Sequence, residues 1–368
     1  MEQQAALLKQ TIAEACKGLV DRESLVDLIV LAAVAREHLL IIGPPGTGKS
    51  AAVRQVSKTL GGRYFEYLLG RFTEPSEIFG PVDLTKLQQG IVETATEGML
   101  PEADIAFLDE VFLGSTAILN TLLGVLNERQ FRRGHSLVNC PLRLCVGASN
   151  HLPDDESLAA FADRFLIHTF IEPVADSALE SLLERGWSGA HQEINKSAGL
   201  QLLDDLSSAA RDVDLSQVQP ALAHCIRLLR KGNIELSDRR IVKSQNLIAA
   251  AAVLAGRSTA TKADIWPLIF VVPTEQEQQD ARDLLREELE NTENNALNAA
   301  AEQASLGPLV RAQRLTEQAK ELLATEASQS EIEALGREID ASFPVRAMPE
   351  ALQEVRNQLI AKLGEVGA

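Results

Sequence analysis

Aromatic residues are scarce in this chain: Phe, Trp and Tyr make up 4% of 368 residues, with two Trp and two Tyr. Proteins that track nucleic acid stack bases on aromatic rings set among basic side chains. Here no basic run is longer than a pair such as Arg132-Arg133 or Arg239-Arg240, and the formal net charge is -17. That surface repels DNA, RNA and anionic lipid, so neither a nucleic-acid partner nor a membrane surface is expected. Cysteine is also rare. The four thiols, Cys16, Cys140, Cys145 and Cys225, show no CxxC or zinc-ligand spacing and read as buried thiols of a reducing compartment. Long apolar runs are missing too. Leu25 to Ala35, interrupted by Asp27, and Ile248 to Gly256 fall short of the ~20 residues that a membrane span needs. The opening MEQQAALLKQ lacks a charged region followed by an apolar one, so no signal peptide is read and a cytoplasmic protein is expected.

What is present is an ordinary globular composition, 45% hydrophobic and 24% charged, in a chain long enough for two or three domains. Residues 1 to 35 carry a helical pattern, broken at Lys17-Gly18-Leu19-Val20-Asp21. Short apolar runs then alternate with amphipathic stretches: Leu39 to Ile42, Tyr64 to Leu68, Ile105 to Leu108, Leu142 to Ala148 and Phe165 to Phe170. The alternation predicts an α/β fold, a parallel sheet with helices on both faces. After Pro173 the strand signals stop. Residues 174 to 272 read as helices alone, one of them Ser237 to Gly256, and Trp266-Pro267 closes the block. From 274 onward 19 Asp and Glu face 9 Lys and Arg, a shift in composition that marks a boundary. Ile332, Leu335 and Ile339, then Leu352, Val355, Leu359 and Leu363, recur at helical spacing. They predict two helices that pack within the protein, with Gly307-Pro308 and Phe343-Pro344 as breaks.

The chemistry begins at Gly43-Pro44-Pro45-Gly46-Thr47-Gly48-Lys49-Ser50, which matches G-x-x-x-x-G-K-[ST] between a predicted strand and a predicted helix. Glycines let backbone N–H groups turn toward phosphate oxygens, and the helix that follows points its positive end at the same anions. The Lys49 ammonium suits the β- and γ-phosphates, and the Ser50 hydroxyl suits Mg²⁺. Some sixty residues on, Ile105-Ala106-Phe107-Leu108 delivers Asp109 and Glu110 at a strand end. One acid suffices to support a metal, so the second points to polarising an attacking water. Gly147-Ala148-Ser149-Asn150 ends the next strand, where an amide could reach the γ-phosphate. Arg164, in Phe161-Ala162-Asp163-Arg164-Phe165, and Arg239 and Arg240, in Ser237-Asp238-Arg239-Arg240, offer guanidinium groups suited to charge on a transferred phosphoryl. Arg164 could equally pair with Asp163, and Ser237 or Asp238 could simply cap a helix.

These five pieces in this order resemble an AAA+ ATPase. EYLLGRFTEPSEIFGPVDL, GMLPEADIAFLDE and ILNTLLGVLNERQF are similar to the MoxR family, and within it to the RavA-type branch. GASNHLPDD, FADRFLIHTF and SDRRIVKSQNLIAAAAVLAGRS continue the likeness, which covers about residues 5 to 272. The resemblance implies an AAA+ αβα nucleotide-binding core over 1–188, an all-helical lid over 189–272 and a helical C-terminal extension over 273–368. It implies ATP and Mg²⁺ as ligands, bound by Gly43, Pro44, Pro45, Gly46, Thr47, Gly48, Lys49, Ser50 and Ala51, with Ser50 and Asp109 serving the metal. Glu110 becomes the catalytic base, Asn150 the first sensor and Arg164 a finger reaching the neighbouring subunit's site. Arg239 becomes the lid sensor, a role that Arg240 could share or replace, and Gly18, Leu19 and Val20 lie near the adenine.

By the same resemblance the chain forms a ring, usually a hexamer, that remodels or activates a protein client. A partner bearing a von Willebrand factor A domain is implied as well. Family members carry an insert and a hairpin facing the pore or a partner; the matching stretches are Ile78 to Gly98 and Gln130 to Leu142, with Gly134 at the hairpin tip. The sequence departs from RavA after 274, where no β-rich insert is read. A metal-chelatase motor subunit and a nucleic-acid-dependent NTPase stand as alternatives, the latter opposed by the acidic charge.

Overall fold

The computed structural model describes residues 2–366 apart from 134–135, 175–178, 181, 185–198, 291, 293, 306–311, 313–314, 317–318, 321, 324–328 and 344–347. Helices α1 (Glu2–Ala15) and α2 (Glu23–Ala35) come first, and α2 is buried from Leu25 to Ala35. A helix apolar on every side must be enclosed by other elements, and α2 is covered by sheet and helices alike. Then follow β1 (Leu39–Ile42), α3 (Lys49–Leu60), β2 (Tyr64–Leu68), α4 (Pro75–Phe79) and α5 (Leu84–Gln88). After these come β3 (Ile105–Asp109), α6 (Thr116–Glu128), β4 (Gln130–Arg133), β5 (Ser136–Asn139), β6 (Leu144–Ser149), α7 (Glu156–Ala162) and β7 (Ile167–Phe170).

Five strands form one parallel sheet in the order β2-β3-β6-β1-β7. The alternation of side chains along a strand divides the core. Leu39, Ile41, Phe107, Val146 and Ala148 face one cluster with α2 and α3, while Leu40, Ile42, Ala106, Leu108 and Cys145 face another with α6. At Gly147 β6 passes close to the Phe165 ring, and a Cβ there would lie 3.0 Å from it, tighter than ordinary contact. Pairing sets Ile42 level with Ser149 and Leu108 level with Gly147. The C-terminal ends of β3, β6 and β1 therefore open side by side, the place where open α/β sheets bind ligands.

β4 and β5 pair as the expected antiparallel hairpin, with Arg133 opposite Ser136; its tip, Gly134, lies outside the described residues. The stretch 78 to 98 folds as α4, α5 and a return joined by an antiparallel bridge between Val82 and Thr94.

The following helices are α8 (Leu200–Arg211), α9 (Gln219–Lys231), α10 (Asp238–Leu254) and α11 (Leu268–Val271). Among the described residues of 174–272 there is no strand, only a single bridge between Asp214 and Thr259. The expected boundary at 188/189 lies outside the described residues. Beyond 273 stand α12 (Glu275–Leu284), α13 (Arg286–Leu289), α14 (Asn298–Ser305), α15 (Gln329–Ser342) and α16 (Glu350–Val366). Their packing is divided. Ala281, Leu285, Leu289, Leu297 and Ala300 join the cluster that holds α2 and α10. Ile332, Leu335 and Ile339 of α15 instead meet Leu352, Val355 and Leu359 of α16 in a cluster of their own. The expected pairing of these two helices is observed, and α15 ends just before Phe343; Gly307, Pro308 and Pro344 lie outside the described residues.

Asp27, buried inside α2, fastens α14 to this core. Its carboxylate accepts the Ala300 N–H at 3.1 Å, satisfying a donor that the first turn of a helix leaves open. Burial is the main influence on this group and raises its pKa to about 7. In the unfolded chain Asp27 ionises near pH ~4, so between there and pH 7 the folded state binds the extra proton and loses stability as pH rises. Above pH 7 both states are ionised and the penalty is constant. Asp27→Asn keeps an acceptor without the charge. In urea unfolding, its stability relative to the parent is expected to rise between pH 4 and about 7, by on the order of a few kcal/mol, and to level off above. A relative stability that does not change with pH would refute this role.

Candidate functional site

Gly43 to Ser50 join β1 to α3. Gly43 must be glycine because a Cβ would sit 2.3 Å from the Ile171 carbonyl oxygen, so the loop leaves the sheet pressed against the exit of β7. Gly46 and Gly48 both adopt φ of +80°, the left-handed region that side chains disfavour. The Thr47 hydroxyl donates to Pro44 O at 2.9 Å and closes the loop on itself. Pro44, Pro45 and Gly46 are exposed, Ser50 is half-buried and Ala51 is exposed on the first turn of α3.

Lys49 is buried, 7% exposed, and its ammonium turns back into the loop. It donates to Gly43 O, to Pro44 O at 3.2 Å and to Asn150 Oδ1 at 3.4 Å. Burial lowers its pKa, against the opposing pull of Asp109 and Glu110. All three of its partners are carbonyl oxygens, which a phosphate can replace at the same ammonium.

Asn150 links this lysine to the acidic pair, since its Nδ2 donates to Glu110 Oε1 at 2.6 Å. Glu110 itself is backbone-strained, with φ 50° and ψ 46° at the entry to a 3₁₀ turn. A non-glycine residue there costs on the order of 1–3 kcal/mol and persists only where surroundings dictate it. The turn swings the Glu110 carboxylate toward the end of β6, while Asp109 stays on β3 and accepts the Glu110 N–H at 3.0 Å. Lys49, Asn150, Glu110 and Asp109 are thus gathered in one place by three adjacent strands, as the sequence led one to expect. Ser50 and Asp109 supply a hydroxyl and a carboxylate, an all-oxygen donor set that fits Mg²⁺, a hard cation that keeps several waters and takes few protein ligands. Among the described residues no group of three or more His, Cys, Asp or Glu is placed to hold a metal ion.

The turn at Gly18-Leu19-Val20 follows a contact with α3 and precedes one with the loop. Gln55 of α3 donates its side-chain amide to Lys17 O, and Leu19 and Val20 are buried. The strongest tie was not legible in the sequence. Arg22, 6% exposed, donates from Nε to Thr47 O at 2.9 Å and from Nη2 to Glu172 O at 2.8 Å. One guanidinium thereby spans the phosphate-loop backbone and the exit of β7. A lone arginine between two helices carries no pattern that announces this; its proximity to Thr47 arises only when α2 packs beside β1.

Arg164, Arg239 and Arg240 do not reach Lys49, Asn150 or Glu110. They meet one another at Asp163, between α7 and β7. Arg240 is 2% exposed and fully engaged. Its Nε donates to Asp163 Oδ1 at 2.7 Å, Nη1 to Leu166 O at 2.9 Å and Val271 O at 2.6 Å, and Nη2 to Phe165 O at 3.0 Å. Nη2 also meets His168 Nε2 at 2.9 Å. Burial, with the Arg240 charge, pushes the His168 pKa down to about 3, so the ring is neutral and Nε2 can accept while Nδ1 donates to Pro273 O. Arg239 is half exposed, with Nη1 at 3.4 Å from Asp163 Oδ2. Ser237 caps α10 by accepting the Arg240 N–H. The two arginines that the sequence left interchangeable are therefore distinct: Arg240 is bolted between helix and sheet, and Arg239 is exposed and held by one long contact to Asp163.

A family model described as the MoxR domain in MoxR-vWA-beta-propeller ternary systems matches residues 6–209, and an AAA lid domain model matches residues 216–283. An uncharacterized protein of Methanocaldococcus jannaschii is 33% identical over 247 residues, 67% of this chain and 64% of the relative. The chain thus spans less than two thirds of that relative's length. The chaperone MoxR1 of Mycobacterium tuberculosis is 26% identical over 164 residues, 43% of this chain and 42% of that protein. In fold, a crystal structure of a candidate ATPase from Cytophaga hutchinsonii superposes with a TM-score of 0.62 at 15% identity, covering 80% of this chain and 98% of the other.

The contrast between the two lid arginines is measurable. Arg240→Ala removes one partner of a buried ion pair and orphans several carbonyls, and thermal or urea unfolding should register a loss of about 3–5 kcal/mol. Arg239→Ala should stay within about 0.5 kcal/mol of the parent. Equal losses from the two would refute the distinction. Arg22→Ala is expected to cost about 1.5–3 kcal/mol and to weaken binding of a fluorescent nucleotide; unchanged affinity would show that the loop holds its shape without it.

Proposed function

We propose, since this chain belongs to the MoxR family of AAA+ ATPases, that it hydrolyses ATP and spends the resulting motion on another protein. The observation that carries the reading is the line of contacts Lys49–Asn150–Glu110 at the level ends of three parallel strands. A triphosphate entering over Gly46 and Gly48 takes the Lys49 ammonium from the loop carbonyls. Asn150 then loses its lysine contact and is left to orient Glu110 and the attacking water. Glu110 acts as the base, accepting a proton from that water as it attacks the γ-phosphorus. Ser50 and Asp109 would hold Mg²⁺, which neutralises charge on the phosphate oxygens. Gly18, Leu19 and Val20 face the base of the nucleotide. Arg239 senses the γ-phosphate within its own subunit, and Arg164 serves the site of the next subunit.

That last role requires an assembly, and a hexameric ring is the proposed one. The three-part division into a core at 1–188, a lid at 189–272 and a C-terminal part from 273 is likewise proposed. In it the helices up to Ser305 travel with the lid and core, because they share the α2 cluster. The family model is named for ternary systems that include a von Willebrand factor A domain, and a partner of that kind is proposed here, with a remodelled or activated client. The likeness of the motifs to the RavA-type branch is carried as a proposal, beside a family model described for a different arrangement. Four free thiols fit a cytoplasmic home. Among the described residues no helix is long and apolar enough to cross a membrane. No observation favours a chelatase motor or a nucleic-acid-dependent NTPase.

Glu110→Gln should bind ATP with parent-like affinity, hydrolyse it at least a hundredfold more slowly, and persist in its ATP-bound assembly by size-exclusion chromatography. Parent-like turnover by that variant would show the base to be misassigned. A parent protein that neither binds ATP with magnesium nor assembles would overturn the function itself.

A further inference from the structure

The cluster around Asp163 is unbalanced in charge. Among the described residues three guanidinium groups, those of Arg164, Arg239 and Arg240, share a single carboxylate, in a chain whose net charge is -17. His168 beside them is neutral, since burial and Arg240 hold its pKa near 3. The division of the carboxylate is also uneven. Oδ1 belongs to Arg240 at 2.7 Å, whereas Oδ2 is divided between Arg239 at 3.4 Å and Arg164 at 4.0 Å. Among the described residues Arg164 Nε is buried and has no hydrogen-bond partner. Two loosely paired cations therefore lean on one oxygen while a third, fully bonded one holds the carboxylate in place. Neither is fully paired, and each is left with capacity for a further anion.

We propose that Asp163 is a positioning residue that couples one nucleotide site to the next, a reading that rests on the proposed roles of Arg239 and Arg164. Arg240 fixes the carboxylate against the sheet. Arg239 and Arg164 compete for its second oxygen. When Arg239 leaves for the γ-phosphate of its own subunit, Oδ2 is relinquished to Arg164. Arg164 gains a full partner, and its outward-facing nitrogens are held in one orientation for the adjacent triphosphate. ATP in one subunit thus readies the finger that the neighbour needs. The coupling needs no distant relay, because the sensor and the finger act on the same carboxylate.

Asp163→Asn tests this. The amide oxygen can still accept from Arg240, but the negative charge that holds Arg164 is gone. The variant should bind fluorescent nucleotide within twofold of the parent, show kcat at least tenfold lower and a KM changed by less than threefold, and lose cooperativity in ATP, its Hill coefficient falling to one. A subunit-mixing assay separates positioning from mere structural support. Glu110→Gln subunits bind ATP, hydrolyse it at least a hundredfold more slowly, and retain Asp163 and Arg164. Mixed with Asp163→Asn subunits, they should restore at least fivefold more activity than the two proteins show separately, because the intact finger now serves the intact neighbouring site.

Mixing Arg164→Ala with Glu110→Gln supplies the reference. Rescue there with none for Asp163→Asn overturns the coupling while leaving the finger in place. Rescue in neither overturns the trans arrangement and the coupling with it. Parent-like kcat and cooperativity in Asp163→Asn also refute the proposal. If that variant fails to fold, Asp163→Glu decides instead: it retains the charge and should recover at least a third of the parent kcat with cooperativity, and a folded Glu variant without cooperativity refutes the coupling.

Discussion

Parallel pairing of β1 with β6, and of β6 with β3, is the constraint from which the site follows. A parallel ladder leaves all C-terminal strand ends on one side, so whatever follows each strand opens onto the same crevice. Ile42 lies level with Ser149 and Leu108 with Gly147. The loop after β1, the acidic pair after β3 and the amide after β6 are consequently within hydrogen-bond reach, although more than a hundred residues separate Lys49 from Asn150 in the chain. Glycine at 43 and 147 keeps this crevice close to the flanks of β7, since a Cβ would lie 2.3 Å from Ile171 O and 3.0 Å from the Phe165 ring.

A second constraint is the burial of charge. Arg240, Arg22 and Asp27 all lie in the interior, where an unpaired ion is costly, and each resolves that cost by binding backbone from a distant segment. Arg240 ties α10 to the carbonyls around β7 and α11. Arg22 ties the phosphate loop to the β7 exit, and Asp27 ties α14 to α2. These polar fastenings lie at the joints between helical layers and sheet. Apolar packing fills those joints without specifying an angle, whereas a guanidinium that must meet four or five acceptors permits few arrangements.

Much of the architecture was legible in local patterns. The five apolar runs correspond to the five strands within a few residues, because a parallel strand buried on both faces is apolar throughout and so is conspicuous between amphipathic helices; β2, at the sheet edge, buries only Phe65. The break at Lys17 to Asp21, the helix beginning at Asp238 and the pairing of the last two helices were visible for the same reason of periodicity. The division of the chain after 273 was less so: the acidic composition marks a change of surface, while the attachment of α12 to α14 to the α2 core depends on small buried residues such as Ala300 and Ala304 that carry little periodic signal.

By itself the sequence determined the phosphate-loop chemistry, the acidic strand end and the strand order's raw material, since each depends on residues adjacent in the chain or on spacing along a single element. The tertiary structure alone decided what the arginines do. Arg239 and Arg240 are neighbours of identical chemistry, and only the direction in which α10 faces makes one a buried bolt and the other an exposed cation. The meeting of Arg164, Arg239 and Arg240 on Asp163, and the grip of Arg22 on Thr47, likewise exist only after folding. Long-range hydrogen bonds of this kind are set by how helices pack on the sheet, and packing angles are a property of the assembled core, not of any segment within it.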